Sequence, residues 1–134
     1  MGTRCLTRVF ENGVQLMNMY RQYDGYPTGH GTDLFEFIKD IEIVDGIGSN
    51  DTRKIADGAG CLAAQIVAHF KDGPGKFYLV DGKPGDHGQD YEYQIHVSSD
   101  ESECITVVVR DYKKKQIFRG NVKDFGEFCK KDDD

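Results

Sequence analysis

The chain has 134 residues with a formal net charge of -6 at pH 7, and 38% of its residues are hydrophobic. This length suits one domain that buries a core without a metal or disulfides, and the acidic balance weighs against duplex nucleic acid, whose phosphates need basic partners. The longest apolar segment, Ile105 to Val109, is far shorter than the roughly 20 residues of a membrane span.

The first predicted element is a β-hairpin, with strands over Arg4–Phe10 and Val14–Tyr23. The link Asn12-Gly13 indicates a type I′ turn, because both central positions of that turn need positive φ. Pairing Glu11 with Val14 then places Cys5 opposite Tyr20 and Leu6 opposite Met19. Both faces of this ribbon carry apolar groups, so we expect both to be covered, by helices or by a second subunit. A homo-oligomer is therefore expected.

Two main helices follow the hairpin. Thr32 is the predicted N-cap of the first, whose apolar positions lie at helical spacing: Leu34, Phe37, Ile38 and Ile41. Ile41–Val44 is predicted as a short extended piece. Gly58–Lys71 is the predicted central helix, ended by Gly73-Pro74. Beside the apolar face of this helix, a second face carries Cys61, Gln65 and His69, which recur every four residues.

The second half of the chain is predicted as mostly strand. Phe77–Val80 is a short strand, and Tyr91 to Val97 alternates apolar and polar residues as a half-buried strand does. Glu103–Tyr112 and Lys115–Arg119 complete the sheet, and Asn121 can cap a short C-terminal helix. The predicted fold is therefore α+β, one domain over residues 1–134, with an antiparallel sheet, two main helices, a short third helix and a frayed tail at 130–134.

The tract Tyr20–Gly31 has the composition of a ligand-contacting loop. Its glycines permit unusual backbone conformations and close approach of a ligand. Tyrosines offer stacking faces and hydroxyl groups, and an arginine can pair with a phosphate in a bidentate way. The structural alternative is a set of turns whose tyrosines cover the core. We expect the second half of the tract to hold the more accessible groups, and the candidate residues are Arg21, Tyr23, Asp24, Tyr26 and His30.

Two further stretches are candidates for anion binding. The first is Arg53-Lys54 followed by Asp57-Gly58-Ala59-Gly60. Gly58 and Gly60 stand at the start of the central helix, where free N–H groups and the helix dipole attract anions. No Walker motif is present, and tight helix packing is the alternative explanation for these glycines. Arg110 lies within a strand and could reach a ligand or a second subunit, or pair with Asp111 at the surface.

Metal-binding and catalytic patterns are weaker. The histidines His30, His69, His87 and His96 fall on different elements and lack the spacing of a zinc site. Asp24, Asp86, His87 and Asp90 could hold a divalent cation if their loops converge, which would permit a metal-dependent phosphoesterase. No nucleophile motif appears. We therefore predict a protein that is not an enzyme and needs no cofactor.

The N-terminus lacks a secretory signal pattern, since Met1-Gly2-Thr3-Arg4 leads directly into a strand pattern. A cytoplasmic location is expected. In that compartment four widely spaced cysteines favour reduced, mostly buried thiols; they are Cys5, Cys61, Cys104 and Cys129.

Three segments resemble a family of short, uncharacterised bacterial and phage proteins. They are the opening Met1–Arg4, the tract Tyr20–Gly31 with its Asp-Gly-Tyr-Pro core, and the helical segment Gly60–Gln65; Gly88–Tyr93 adds to the likeness. The resemblance implies kinship without an established activity. The occurrence of this family in phages favours a small anti-defence protein that acts in the host cytoplasm.

These observations predict a binding protein that captures a small, anionic, nucleotide-like ligand. In a phage it would act as a sponge for a cyclic-nucleotide or cyclic ADP-ribose immune signal. Tyrosine stacking and guanidinium–phosphate pairs suit such capture. The alternatives are a protein–protein inhibitor or regulatory module and, after it, the metal-dependent phosphoesterase.

Overall fold

A computed structural model describes residues 2–44, 54–81, 87–98 and 105–131. Within these ranges the chain forms a mostly antiparallel sheet and a second, smaller sheet, with α-helices between their strands. The strands are β1 Cys5–Glu11, β2 Val14–Arg21, β3 Glu42–Val44, β4 Ile55–Asp57, β5 Phe77–Leu79, β6 Tyr91–Val97, β7 Ile105–Arg110 and β8 Gln116–Gly120. The helices are α1 Thr32–Ile38, α2 Gly58–Phe70 and α3 Val122–Lys131, and a π-helical turn over Pro27–Gly31 precedes α1.

The α+β fold predicted from the sequence is confirmed. The larger sheet has the strand order β5-β2-β1-β6-β7-β8. All neighbours in it are antiparallel except β1 and β6, which run parallel. A parallel pair is possible because about eighty residues, including α1 and α2, separate these two strands and allow a crossover. β4 was not predicted; it pairs in parallel with β3 to form the small sheet.

The hairpin forms at Asn12 and Gly13, which both have positive φ as predicted, but its register differs. Glu11 faces Val14 and Phe10 faces Gln15, and Leu16 is then left as an extra residue, so that Val9 faces Met17. This β-bulge shifts every later pair by one residue, and Cys5 therefore faces Arg21 instead of Tyr20. Since a one-residue shift moves side chains to the other face, Arg21 joins the face of β1 that carries Cys5 and Thr7.

The helices pack against that face. His30 of the π-helical turn bonds to Thr7, and Phe70 of α2 contacts Phe77 of β5. Phe125 of α3 contacts Tyr93 of β6 edge-on at 6.2 Å. The core lies between these helices and the sheet, and its largest fully buried side chains include Tyr93, Phe125, Leu34, Ile38, Leu62, Ile66 and Ile95.

The start of α1 differs from the prediction. Thr32 has helical φ and ψ and is not an N-cap, because the chain enters α1 directly from the π-helical turn. Its hydroxyl donates instead to the Pro27 carbonyl oxygen at 3.3 Å. At α3 the predicted cap is confirmed, since the Asn121 side-chain oxygen accepts from the Asp124 amide at 2.8 Å.

Cys5, Cys61 and Cys129 are in the reduced form, and the first and last are buried. Cys104 lies outside the described residues. Among the helices that the structure describes, none is both long and apolar enough to cross a membrane.

Candidate functional site

A cleft of about 580 Å³ lies between the two sheets, along α1 and α2. Its volume falls in the range typical of small-molecule sites, roughly 300–1,000 Å³. The large sheet contributes Arg21 of β2 and Phe77 of β5 to the lining of the cleft, and the small sheet contributes Ile55 of β4. The lining residues are Arg21, Asp33, Glu36, Phe37, Ile41, Lys54, Ile55, Gln65, His69, Phe70, Lys76 and Phe77.

Arg21 is the buried cation of this cleft. It is the last residue of β2, and its side chain is only 6% exposed. Nε donates to the Tyr23 carbonyl oxygen at 2.7 Å, and the guanidinium lies over the Phe77 ring, 5.2 Å from its centroid. Nη1 lies 3.1 Å from His30 Nδ1 and 3.5 Å from the Asp33 carboxylate. The group is therefore held from three sides in one orientation.

His30 supports Arg21 from inside the core. Arginine can only donate hydrogen bonds, so Nδ1 of His30 accepts from Nη1. The ring consequently carries its proton on Nε2, which donates to Thr7 Oγ1 at 2.7 Å. Burial, reinforced by the Arg21 charge, lowers the pKa of His30 from 6.5 to about 3. His30 is thus neutral at physiological pH, and its single tautomer fixes the guanidinium.

The Nη2 group of Arg21 is left for the cleft. The contacts of Arg21 with the described part of the chain use Nε and Nη1 only, while its side chain lines the cleft. A guanidinium has five N–H donors, so Nη2 presents two of them to whatever occupies the cleft. An almost buried arginine with free donors is suited to an anion such as phosphate.

Lys76 adds a second cation beside Arg21. Its ammonium lies 5.5 Å from the centroid of the same Phe77 ring and 5.4 Å from that of Tyr23. Lys76 has a φ of 65°, within a turn that Lys71 Nζ holds through the carbonyl oxygens of Gly75 and Phe77 at 2.9 and 2.7 Å. Two positive groups therefore converge on one aromatic ring.

Aromatic side chains make up part of the cleft lining. Phe37 of α1 and His69 of α2 stack with ring centroids 4.2 Å apart and an angle of 16°. Phe70 meets His69 edge-on at 5.0 Å and Phe77 at 5.5 Å. A flat group such as a nucleobase finds here both apolar surface and ring edges for contact.

The Tyr20–Gly31 tract is divided by the structure, and only its start reaches the cleft. Tyr23 and Tyr26 are 44% and 38% exposed. Tyr23 borders the cleft through Lys76, whereas the Tyr26 hydroxyl is 3.5 Å from the exposed Asp24 carboxylate. His30 is fully buried, so the expectation that the second half of the tract holds the accessible groups is wrong for His30. It positions Arg21 and does not line the cleft.

The glycines of this tract serve packing. None of Gly25, Gly29 and Gly31 has a positive φ. The residue of this tract with a positive φ is Asp24, at 62°. A Cβ on Gly25 would lie 2.8 Å from the Cys5 Cβ, and one on Gly31 would lie 2.8 Å from Cys129 Sγ. Close approach of neighbouring segments, not backbone freedom, explains these glycines.

The remaining predicted site residues lie away from the cleft. Gly58 and Gly60 are at the first turn of α2, whereas the cleft is lined by Gln65 and His69 further along that helix. Gly58 has a φ of 78° and starts the helix, so its conformation explains its presence. Arg110 faces Glu92 across β6 and β7 and donates to the Lys114 carbonyl oxygen at 3.2 Å.

The described residues form no cluster of histidine, cysteine and carboxylate groups that could hold a metal ion. Asp90 accepts from the Arg4 amide at 2.9 Å, and His87 lies 3.6 Å from the Asp81 carboxylate. Asp86, which was considered with them, lies outside the described residues.

Sequence reasoning missed most of the cleft. Lys76 sits in a short connection and looks like an ordinary surface lysine. Two sequence signals did lead to the cleft: Lys54, which belongs to the candidate before the central helix, and the helical face carrying Gln65 and His69. A short cationic turn before a strand becomes part of a site only through its tertiary neighbours.

Comparison of the chain with protein-family models, with curated proteins and with solved structures finds no match. The resemblance drawn from the sequence therefore stays a prediction, and the functional argument rests on the chemistry of the cleft.

Proposed function

We propose that this protein is a non-enzymatic binding protein that captures a small, phosphate-bearing, nucleotide-like ligand in the cleft beside Arg21. The observation that carries the proposal is the buried Arg21 guanidinium with free Nη2 donors. An arginine withdrawn from water loses hydration, and a phosphate that accepts from Nη2 restores both hydrogen bonds and charge balance.

The contact between Arg21 and His30 favours a ligand-binding role for Arg21 over a purely structural one. A buried guanidinium paired with a carboxylate is already neutralised, but the closest protein acceptor of Arg21 Nη1 is the uncharged His30 ring at 3.1 Å. The nearby Asp33 carboxylate is more than half exposed and lies at 3.5 Å, a weak contact. Arg21 therefore keeps most of its positive potential for a ligand.

The aromatic groups supply the second half of the recognition. The Phe37–His69 stack and Phe70 line the same cleft as the cations. A ligand with a flat ring and an anionic group satisfies both sets of contacts at once, and a nucleotide has this composition. Binding and orientation are the roles of these residues, and tight capture requires no bond breaking. In a phage such capture would sequester a nucleotide immune signal.

The first test is mass spectrometry of small molecules released by heat from the purified protein, followed by calorimetry. The probes are inorganic phosphate, nucleoside monophosphates, cyclic di- and trinucleotides and cyclic ADP-ribose isomers. We expect at least one nucleotide to bind and to be recovered unaltered. Recovery of a cleaved product after incubation with Mn²⁺ or Mg²⁺ would instead favour the phosphoesterase.

The chain offers a matched pair of variants for this test. Lys76 and Lys114 both have positive φ, 65° and 63°, so glycine relaxes the backbone equally at both sites. Lys76→Gly removes an ammonium from the cleft, and Lys114→Gly removes one from the exposed β7–β8 turn. We expect Lys76→Gly to weaken nucleotide binding about tenfold or more and Lys114→Gly to leave it unchanged. No binding by the folded wild type would refute the proposal.

A further inference from the structure

We infer that the cleft takes a ligand with two separate anionic groups, one at each end, such as a nucleoside bisphosphate or a dinucleotide. This inference rests on the proposed function and specifies its ligand class. The observation behind it is that the cations lining the cleft come from both sheets: Arg21 and Lys76 at β2 and β5, and Lys54 immediately before β4, with aromatic side chains in the same lining.

The first cationic end is formed by the large sheet. Arg21 and Lys76 lie 5.2 and 5.5 Å from the centroid of the Phe77 ring. Arg21 and Phe77 are paired across β2 and β5, so the backbone of the sheet fixes their separation. A phosphate that accepts from Arg21 Nη2 is therefore bound at the end of the cleft to which Lys76 also contributes positive charge.

The second cationic end is formed by Lys54, which precedes β4 of the small sheet. Its carbonyl oxygen accepts from the Glu42 amide at 3.0 Å, and the next residue, Ile55, is tied to α2 by a hydrogen bond from Gln65 Nε2 at 3.2 Å. Its backbone is thus anchored on both sides. Its exposed ammonium forms no ion pair within the part of the chain that the structure describes.

Helix α2 gives the spacing of the two ends. Gln65 marks the Lys54 end, and Phe70, which contacts Phe77, marks the Arg21 end. These helix positions are five residues apart, which corresponds to about 7–8 Å along the axis. His69 directly precedes Phe70 in α2 and stacks on Phe37. A ligand whose ring contacts these aromatic groups can carry one anionic group toward Arg21 and a second toward Lys54, whereas a single phosphate reaches one end only.

The carboxylates that line the cleft neutralise its cations only in part. Glu36 is paired with Lys39 at 2.7 Å, one helical turn further along the chain. Asp33 makes the weak contact with Arg21 at 3.5 Å. A ligand with two anionic groups can pair with a cation at each end, whereas a ligand with one anionic group pairs at one end only.

Calorimetry with matched ligands tests this inference. The probes are adenosine and guanosine 5′-monophosphates and the corresponding 3′,5′-bisphosphates, together with cyclic di-adenosine and di-guanosine monophosphates. We expect a ligand with two phosphates to bind about tenfold or more tightly than the monophosphate of the same base. Lys54→Gln should weaken two-phosphate ligands about tenfold more than it weakens monophosphates, so that their advantage is lost, while Lys76→Gly should weaken both classes to a similar extent.

Lys123→Gln, which removes an exposed lysine of α3 outside the cleft, is the control for Lys54→Gln. Circular dichroism confirms that each variant is folded. Equal affinity for one- and two-phosphate ligands, or equal behaviour of Lys54→Gln and its control, would overturn the inference and leave the proposed function intact. Absence of binding for every probe would overturn both.

Discussion

Acidification should destabilise this protein through His30. In the folded chain the ring is buried and neutral, with a pKa of about 3, while an unfolded histidine has its ordinary value of 6.5. Between these values the unfolded chain binds one more proton than the folded chain, so the free energy of unfolding falls as the pH falls. The stabilisation is complete above about pH 6.5, and below about pH 3 both states are protonated and no further loss occurs.

The size of this effect follows from the difference between the two pKa values. Each unit of pH within the window costs about 1.4 kcal/mol. Because the unfolded histidine is already half protonated at pH 6.5, lowering the pH from 6.5 to 4.5 should cost on the order of 2 kcal/mol from His30 alone. This is a large share of a typical unfolding free energy of about 5–15 kcal/mol.

The assay is urea unfolding followed by circular dichroism at half-unit steps from pH 7 to pH 4, for the wild type and for His30→Gln. Glutamine offers an oxygen to Arg21 and an N–H to Thr7 but does not titrate. All other groups, including His96, whose pKa is lowered by burial and by Arg119 and Arg110, remain in both proteins. The wild type should lose more stability than the variant as the pH falls. Parallel pH profiles would refute the assignment of a buried, neutral His30.

Two further predictions concern stability. Gly31→Ala should destabilise the fold by about 1–3 kcal/mol through overpacking, since its Cβ would lie 2.8 Å from Cys129 Sγ. Gly60→Ala, whose Cβ would have no atom within 4 Å, should stabilise α2 by about 0.5–1 kcal/mol. Urea unfolding of both variants tests this pair, and equal unfolding midpoints would contradict it. Asn121→Ala should cost about 1 kcal/mol by removing the cap on the Asp124 amide, and an unchanged melting temperature would show that this cap contributes nothing.

Patterns with short range in the chain were predictable. The Asn12-Gly13 turn, the alternation of β6 and the Asn121 cap depend on neighbouring residues, and all three are present in the structure. The extent of α2, predicted as Gly58–Lys71, differs from the observed helix by one residue.

Features that depend on distant partners were not predictable. β4 has three residues and is stabilised by its pairing with β3. Three residues are too few to show the alternation of apolar and polar residues that predicts a strand. The bulge at Leu16 adds one residue to β2, and the sequence around it alternates equally well in either register. Thr32 is a good N-cap residue by type, but the preceding π-helical turn removes the need for a cap.

The candidate site shows the same division. The tract Tyr20–Gly31 was recognised by composition, and Arg21 within it does line the cleft. Its orientation depends on the register of β2, on His30 and on Phe77, which are contributed by separate elements. Lys54 and Lys76 join the site through the placement of two turns, which their side-chain chemistry does not reveal.

The sequence by itself determined the α+β class, the hairpin and the chemical types available for an anion site. Only the tertiary structure decided which of those groups meet. The reason is that local patterns fix φ, ψ and the buried face of each element, whereas a site requires side chains from several elements to converge. At Arg21 one extra residue in β2 turns the guanidinium to the helix-covered face, where His30 holds it with Nη2 available to the cleft.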